Sequence, residues 1–210
     1  IEPQNGEKLK AKLPEIAKSE GPVIIIVPGA AAGPSKRWLS ERFAETANWL
    51  ISNYNATVVV SVAPDPVERQ IAKEICDSSN LSGAQRSNLK HKLINLAARP
   101  ISLGELKAFF AGADLVISND TGPRHIAIAL QRKIISLLGP NDPAWTDFSY
   151  ENEIRLIGDA PCAPCDRPIC KKSEHLCMQA ITVGMVCDAA KKLLENSCQK
   201  QQQLCASKNL

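Results

Sequence analysis

Four groups of residues in this 210-residue chain have types and spacings that can do chemistry. Asp120, Thr121, Gly122 and His125 fall between an apolar run, Leu115 to Ile117, and a segment opened by Pro123. The order strand, tight turn, helix places them at a helix amino end, where unpaired N–H groups and the helix dipole favour an anion such as a phosphate. His125, one turn in, can donate to a phosphate oxygen. The same residues also suit a plain capped helix, with Thr121 as cap, Gly122 in the turn and Pro123 in the first turn.

Lys36 is the second group. It follows a loop of small residues, Pro28 to Pro34, that itself follows the β-branched run Val23 to Val27, and a lysine just before a helix can reach a phosphate as a point charge. There is no GKS or GKT order and no GxGxxG, and a solvated Lys-Arg pair on a surface loop is the alternative. The third is Glu68, in the first turn of the helix after the run Thr57 to Val62, which answers the helix dipole or accepts from ribose hydroxyls. The fourth is Cys162-x2-Cys165-x4-Cys170-x6-Cys177, with His175 as a substitute ligand. Four thiols within sixteen residues suit a compact tetrahedral metal site, although only one C-x2-C pair is present; cystines and free thiols are the alternatives.

These residues need elements to hold them. Val23 to Val27, Thr57 to Val62, Leu93 to Leu96, Leu115 to Ile117 and Ile134 to Leu138 read as buried strands. Between them run helices: one that Ser40 caps, with Phe43, Ala47, Leu50 and Ile51 inward; one over Val67 to Cys76; one opened by the capping box Ser102-x-x-Glu105; and one with Ile126, Ala127, Ala129 and Leu130 on its buried face. Residues 77 to 92 show no clear period and read as a loop or a poorly formed helix. Strands alternating with helices predict an α/β doubly wound parallel sheet, and every candidate except the cysteines then falls at its carboxyl edge. Residues 1 to 20 read as a short helix or linker leading into a domain over 21 to 195, which includes the Cys-rich loop 161 to 177, and 196 to 210 as a polar tail.

Composition narrows the classes. Hydrophobic content of 44% supports one sizeable core, and a net charge of +3 from 25 basic and 22 acidic residues is too balanced for general nucleic-acid binding. No apolar stretch approaches a membrane span, and the opening IEPQNGEKLK has neither an initiator Met nor a signal-peptide core, so the chain reads as part of something longer. Half of the eight cysteines lie between 162 and 177, which makes them a local feature rather than a disulfide scaffold.

Together the phrases PGAAAGPSKRW (28 to 38), SNDTGPRHIAIAL (118 to 130), LLGPNDPAW (137 to 145), CAPCDRPIC and CMQAI resemble the C-terminal half of the family 9 glycosyltransferases, the ADP-heptose:lipopolysaccharide heptosyltransferases. The GPSKRW form is closer to the heptosyltransferase II branch, and the resemblance spans roughly residues 21 to 195. It implies one Rossmann-like half of a GT-B fold, the half that binds the nucleotide sugar, with its N-terminal partner domain and the catalytic base outside this chain. It places Lys36 on the diphosphate, Glu68 on the ribose, Ile101 against the adenine, and Asp120, Thr121, Gly122 and His125 around the diphosphate and donor sugar.

The implied reaction moves heptose from ADP-heptose to a lipopolysaccharide inner-core acceptor with inversion, needing no metal for catalysis. The isolated domain is then expected to be inactive. Ala31, Ala32 and Asn141 depart from the family pattern and leave the sugar contacts of their loops open. The resemblance also implies the cytoplasmic face of the inner membrane, a reducing place that favours structural zinc over cystines at the four thiols, with ADP binding largely independent of the metal. A nucleotide-binding module without turnover and a metal-stabilised interaction domain are the alternatives from other classes.

Overall fold

The structure is a computed structural model that describes residues 2–78, 92–172 and 174–206, with side chains described up to residue 195. Among the described residues, six parallel strands form one sheet in the order β3-β2-β1-β4-β5-β6. They are β1 Val23–Val27, β2 Thr57–Val60, β3 Leu93–Asn95, β4 Leu115–Asn119, β5 Ile134–Leu138 and β6 Glu153–Ile157. The order reverses direction between β1 and β4, which pair directly with Ile25 opposite Val116. Loops leaving those two strands therefore diverge, and the crevice between them is where ligands of doubly wound sheets bind.

β1 is apolar throughout and β2 nearly so because both faces are covered, and Ser118 and Asn119 of β4 and Ser136 of β5 are buried polar residues beside them. Ile24 and Ile26 of β1, Val58 and Val60 of β2, and Leu115 and Ile117 of β4 point to one face, where they pack with α3 (Ser40–Tyr54), α4 (Pro66–Ser78) and α8 (Val183–Ala206). Ile25, Val27, Val59 and Val116 point to the other and meet Phe109 and Phe110 of α5 (Leu103–Ala111) and Ala127 of α6 (Gly122–Ala129). The period of two within a continuous apolar run is what a parallel sheet buried on both sides requires.

At the amino end, α1 (Pro3–Lys12) and α2 (Pro14–Ala17) belong to the second layer: Leu13 is buried in it, and Lys12 forms a 2.8 Å ion pair with Glu105. The Ser102–Glu105 capping box is present in both directions. At the other end, α7 (Leu176–Ala180) precedes α8, whose start Thr182 caps through the Met185 N–H at 3.2 Å. Helical backbone continues to Ala206, so most of the expected polar tail is helix. No helix among the described residues is long and apolar enough to cross a membrane.

Three local expectations are corrected. Ser40 is the first residue of α3 rather than its cap; Leu39 is the cap residue and makes no side-chain cap bond, while the Ser40 hydroxyl donates to Glu74. β6 was not expected; its half-buried Ile154 and Leu156 alternate with Glu153 and Arg155, the weak pattern of an edge strand. On α6, Arg124 and Ala127 face inward and Ala129 is exposed, because a buried acidic partner, Glu153, turns the arginine toward the sheet. The expectation for 77 to 92 lies mostly outside the described residues.

Candidate functional site

The loop after β1 and the turn after β4 are pinned to each other by one buried side chain. Asn119, the last residue of β4, donates through Nδ2 to the carbonyls of Pro28 (2.8 Å) and Gly29 (3.3 Å), and its Oδ1 accepts the Trp38 N–H at 3.2 Å. With all three bonds made it carries no unmet polar atom into the core, and it fixes both banks of the crevice. Trp38 is in turn anchored by an indole bond to the Ile181 carbonyl, 2.9 Å, and packs edge-on to Phe43.

On those banks the sequence-predicted residues separate into two cavities and one buried position. The first cavity, about 520 Å3, is lined by Lys36, Asp120, Thr121, Gly122 and His125 together with Ala31, Ala32, Asn141, Trp145, Thr146 and Asp166. Lys36 Nζ lies 3.2 Å from Asp120 Oδ2 and 3.3 Å from the Asp120 carbonyl, a mostly buried pair. His125 stands edge-on to Phe148 at 5.6 Å between ring centres.

The second cavity, about 260 Å3, is lined chiefly by apolar groups, among them Val62, Pro64, Pro100, Ile101, Leu103 and Leu106. It shares the first turn of α6 with the first cavity: Pro123 lines one, and Gly122 and His125 line the other.

Glu68 lines neither cavity. It is buried beneath Gly29, its Oε2 accepting the Ala63 N–H at 2.7 Å, while Asp65 caps α4 by accepting from Val67 and Glu68 N–H.

Two details bear on whether the α6 turn is only a capped helix. Thr121 makes no side-chain cap bond, and its hydroxyl donates back to the Asn119 carbonyl at 3.4 Å. Gly122 has no positive φ, and a Cβ added there would meet nothing within 4 Å. Neither backbone strain nor packing accounts for this glycine; its missing side chain leaves open space in the first cavity. By contrast Gly33, at φ +143°, has a carbonyl, that of Pro168, 2.2 Å from where a Cβ would be, so that loop residue is dictated by the fold.

The Cys-rich loop is part of this site. The Ser35 N–H donates to the Pro168 carbonyl at 3.2 Å, and the Ser35 hydroxyl to the Arg167 carbonyl. Cys165 and Asp166 N–H both donate to the Pro140 carbonyl, and Asp166 lines the first cavity while accepting the Asp142 N–H. Cys177 is buried and its thiol pKa is pushed up by that burial, with charge on Cys162, Cys165 and Cys170 adding to the effect. Among the described residues, which include His175, no group of three or more His, Cys, Asp or Glu is arranged to hold a metal ion.

Sequence reasoning missed Arg124, the most completely paired side chain of the site. A charge between Pro123 and His125 in a helix start reads as solvent-facing; the signal that could have exposed it is the unread β6, which supplies Glu153.

The family model of glycosyltransferase family 9 (heptosyltransferase) matches residues 2–175. The chain belongs to glycosyltransferase family 9. It is 27% identical over 191 residues to lipooligosaccharide heptosyltransferase 2 of Campylobacter jejuni, covering 90% of this chain and 56% of the relative. Its fold superposes on E. coli ADP-heptose LPS heptosyltransferase II with a TM-score of 0.71 at 24% identity, covering 94% of this chain and 53% of the other. It also superposes on the E. coli heptosyltransferase WaaC with ADP, TM-score 0.62 at 20% identity, over 88% of this chain and 48% of that one. The chain thus spans about half the length of these family 9 relatives, as one α/β unit of a GT-B fold does.

Proposed function

We propose that this domain binds the ADP moiety of ADP-heptose and that the protein it serves transfers heptose to the inner core of lipopolysaccharide. The observation that carries the reading is the pairing of unlike cavities across one helix turn. On one side are a cation, an imidazole, a helix amino end and a glycine that the fold does not need; on the other is an apolar slot. A nucleoside diphosphate has the same two-part chemistry, an anion tied to a flat apolar base. Lys36, His125 and the amino end of α6 hold the diphosphate, and Ile101 with its neighbours receives the adenine. Glu68, which the resemblance assigned to the ribose, is buried beneath Gly29 and lines neither cavity, so it supports the β1 loop rather than touching the nucleotide.

In the transfer, negative charge grows on the departing ADP as the bond from its terminal phosphate oxygen to the anomeric carbon breaks. Lys36 and the helix dipole oppose that growth, which lowers the barrier for departure. The acceptor hydroxyl needs a base to take its proton, and the family resemblance puts that group in a partner domain across the cleft. This chain supplies the donor wall and the leaving-group side of the reaction. The relative solved with ADP supports the choice of nucleotide. Calorimetric titration of the 210-residue chain with ADP, GDP and UDP tests it: ADP should bind most tightly, and equal or absent binding of all three would remove the donor assignment.

A further inference from the structure

Among the described residues, the most heavily paired charge lies beside the first cavity, bonded to Asp120 and Thr146 of its lining. The Arg124 side chain is 0% exposed, and each of its nitrogens has an acceptor. Nε donates to Glu153 Oε1 at 2.7 Å and Nη2 to Glu153 Oε2 at 3.2 Å, a bidentate pair. Nη1 donates to Thr146 Oγ1 (2.6 Å) and Nη2 to the Thr146 carbonyl (3.1 Å), which ties the arginine to the turn that carries Trp145. The remaining Nη1 bond, 3.1 Å, goes to Asp120 Oδ1. Asp120 Oδ2 is the oxygen that meets Lys36.

Asp120 is therefore shared between two cations, one buried and fixed, one reaching in from the β1 loop. We propose that Arg124 is a positioning residue for the diphosphate, holding one oxygen of Asp120 so that this carboxylate orients Lys36 without neutralising it. The proposal rests on the reading of the first cavity as a diphosphate site.

Charge counting gives the reason. Lys36 and Arg124 against Asp120 and Glu153 sum to zero, so an incoming anion meets a neutral cluster with a cation at its mouth. Without Arg124 the cluster is one unit negative, and Asp120, its Oδ1 bare, draws Lys36 onto both oxygens. Because Arg124, Asp120 and Glu153 are buried, such a change is felt strongly by a phosphate and hardly at all by an uncharged base.

Titration with two probes, ADP and adenosine, separates the possibilities, because only ADP carries phosphate. For Arg124→Met, ADP affinity should fall about tenfold or more, the size of a lost charge-assisted contact, with adenosine affinity unchanged. A parallel loss of both probes would mean that Arg124 only maintains the shape of the domain, and loss of neither would mean that it does not act on the anion; either overturns the proposal.

Glu153→Gln keeps Arg124 in place and makes the cluster one unit positive, so ADP should bind more tightly while adenosine does not change. This variant decides the matter if Arg124→Met does not fold: unchanged or weaker ADP binding in it overturns the proposal. Failure of the wild-type chain to bind ADP at all is a different result, and overturns the diphosphate reading itself.

Discussion

The Glu68 carboxylate occupies the space in which Gly29 would carry a side chain: a Cβ there would lie 2.2 Å from Oε2 and 2.4 Å from Oε1. Gly29→Ala must drive the buried carboxylate off its bond to the Ala63 N–H. That exchange should destabilise the domain by about 1 to 3 kcal/mol, the range for overpacking or an unmet buried donor. Chemical denaturation of Gly29→Ala, Glu68→Ala and the double variant checks it. The alanine at 29 should cost far less once the carboxylate is gone, and additive losses would show that the two residues do not collide.

Removing the cation or the imidazole from the first cavity should weaken ADP binding by about 1 to 3 kcal/mol in each case, Lys36→Ala and His125→Ala, with little change in adenosine binding. Lys36 should be the more salt-sensitive of the two, because its contribution is that of a point charge. Calorimetry at two ionic strengths measures both, and full affinity in both variants would dismiss the site.

Acid should strip one contact that joins the amino-terminal helices to α5. The Lys12 ammonium beside Glu105, helped by the Ser102 N–H, holds the Glu105 carboxyl at about 2, down from an ordinary 4.5. A carboxyl with a depressed folded-state pKa contributes stability that is present above the unfolded value and is lost as pH falls through the folded one. Wild type and Glu105→Gln should therefore differ in thermal stability at neutral pH and converge between about pH 4.5 and 2. A constant gap across that window would show that the ion pair is not the source.

The thiols should divide by reactivity. Burial pushes both Cys76 and Cys187 up to about 11, so at pH 8 only about one thousandth of each is thiolate. Mass mapping after brief alkylation should find Cys162, Cys165 and Cys170 modified well ahead of those two. Elemental analysis of protein kept under reducing conditions tests the structural zinc expected at Cys162, Cys165, Cys170 and Cys177: less than a trace of zinc or iron, with all four thiols alkylatable, would rule it out. One equivalent of either metal, with the three thiols protected, would show that the loop draws together around an ion.

Much of this was legible in the sequence, for reasons that differ by element. The strands β1 and β2 are uninterrupted β-branched runs, and such runs have few other fates. The Ser102–Glu105 box announces its helix because both halves of the motif are local. Lys36, Asp120, Thr121, Gly122 and His125 could be gathered into one cavity in advance because each follows a strand, and a parallel sheet puts all strand ends on one side.

What could not be read depends on partners far apart in the chain. Glu68 looks like any acidic residue in a first helical turn until Gly29 is seen above it. Arg124 looks solvated until Glu153, 29 residues later, is placed beside it. Ser35, the neighbour of Lys36, looks like any loop serine until the Cys-rich loop is placed beside it, where it donates to the carbonyls of Arg167, 132 residues later, and of Pro168.

The bond from Asn119 to Pro28 spans 91 positions, and this sets an order of events on the ribosome. The β1 loop emerges first but lacks its bonds to Asn119 until β4 follows, a delay of roughly 5 to 18 s at usual rates of chain synthesis. Through that interval β1 and β2 can pair and α3 can dock, while the crevice between β1 and β4 lacks one of its walls. The first cavity therefore cannot begin to assemble before β4 is made, and it is complete only after the segment carrying Trp145 and Asp166 has followed.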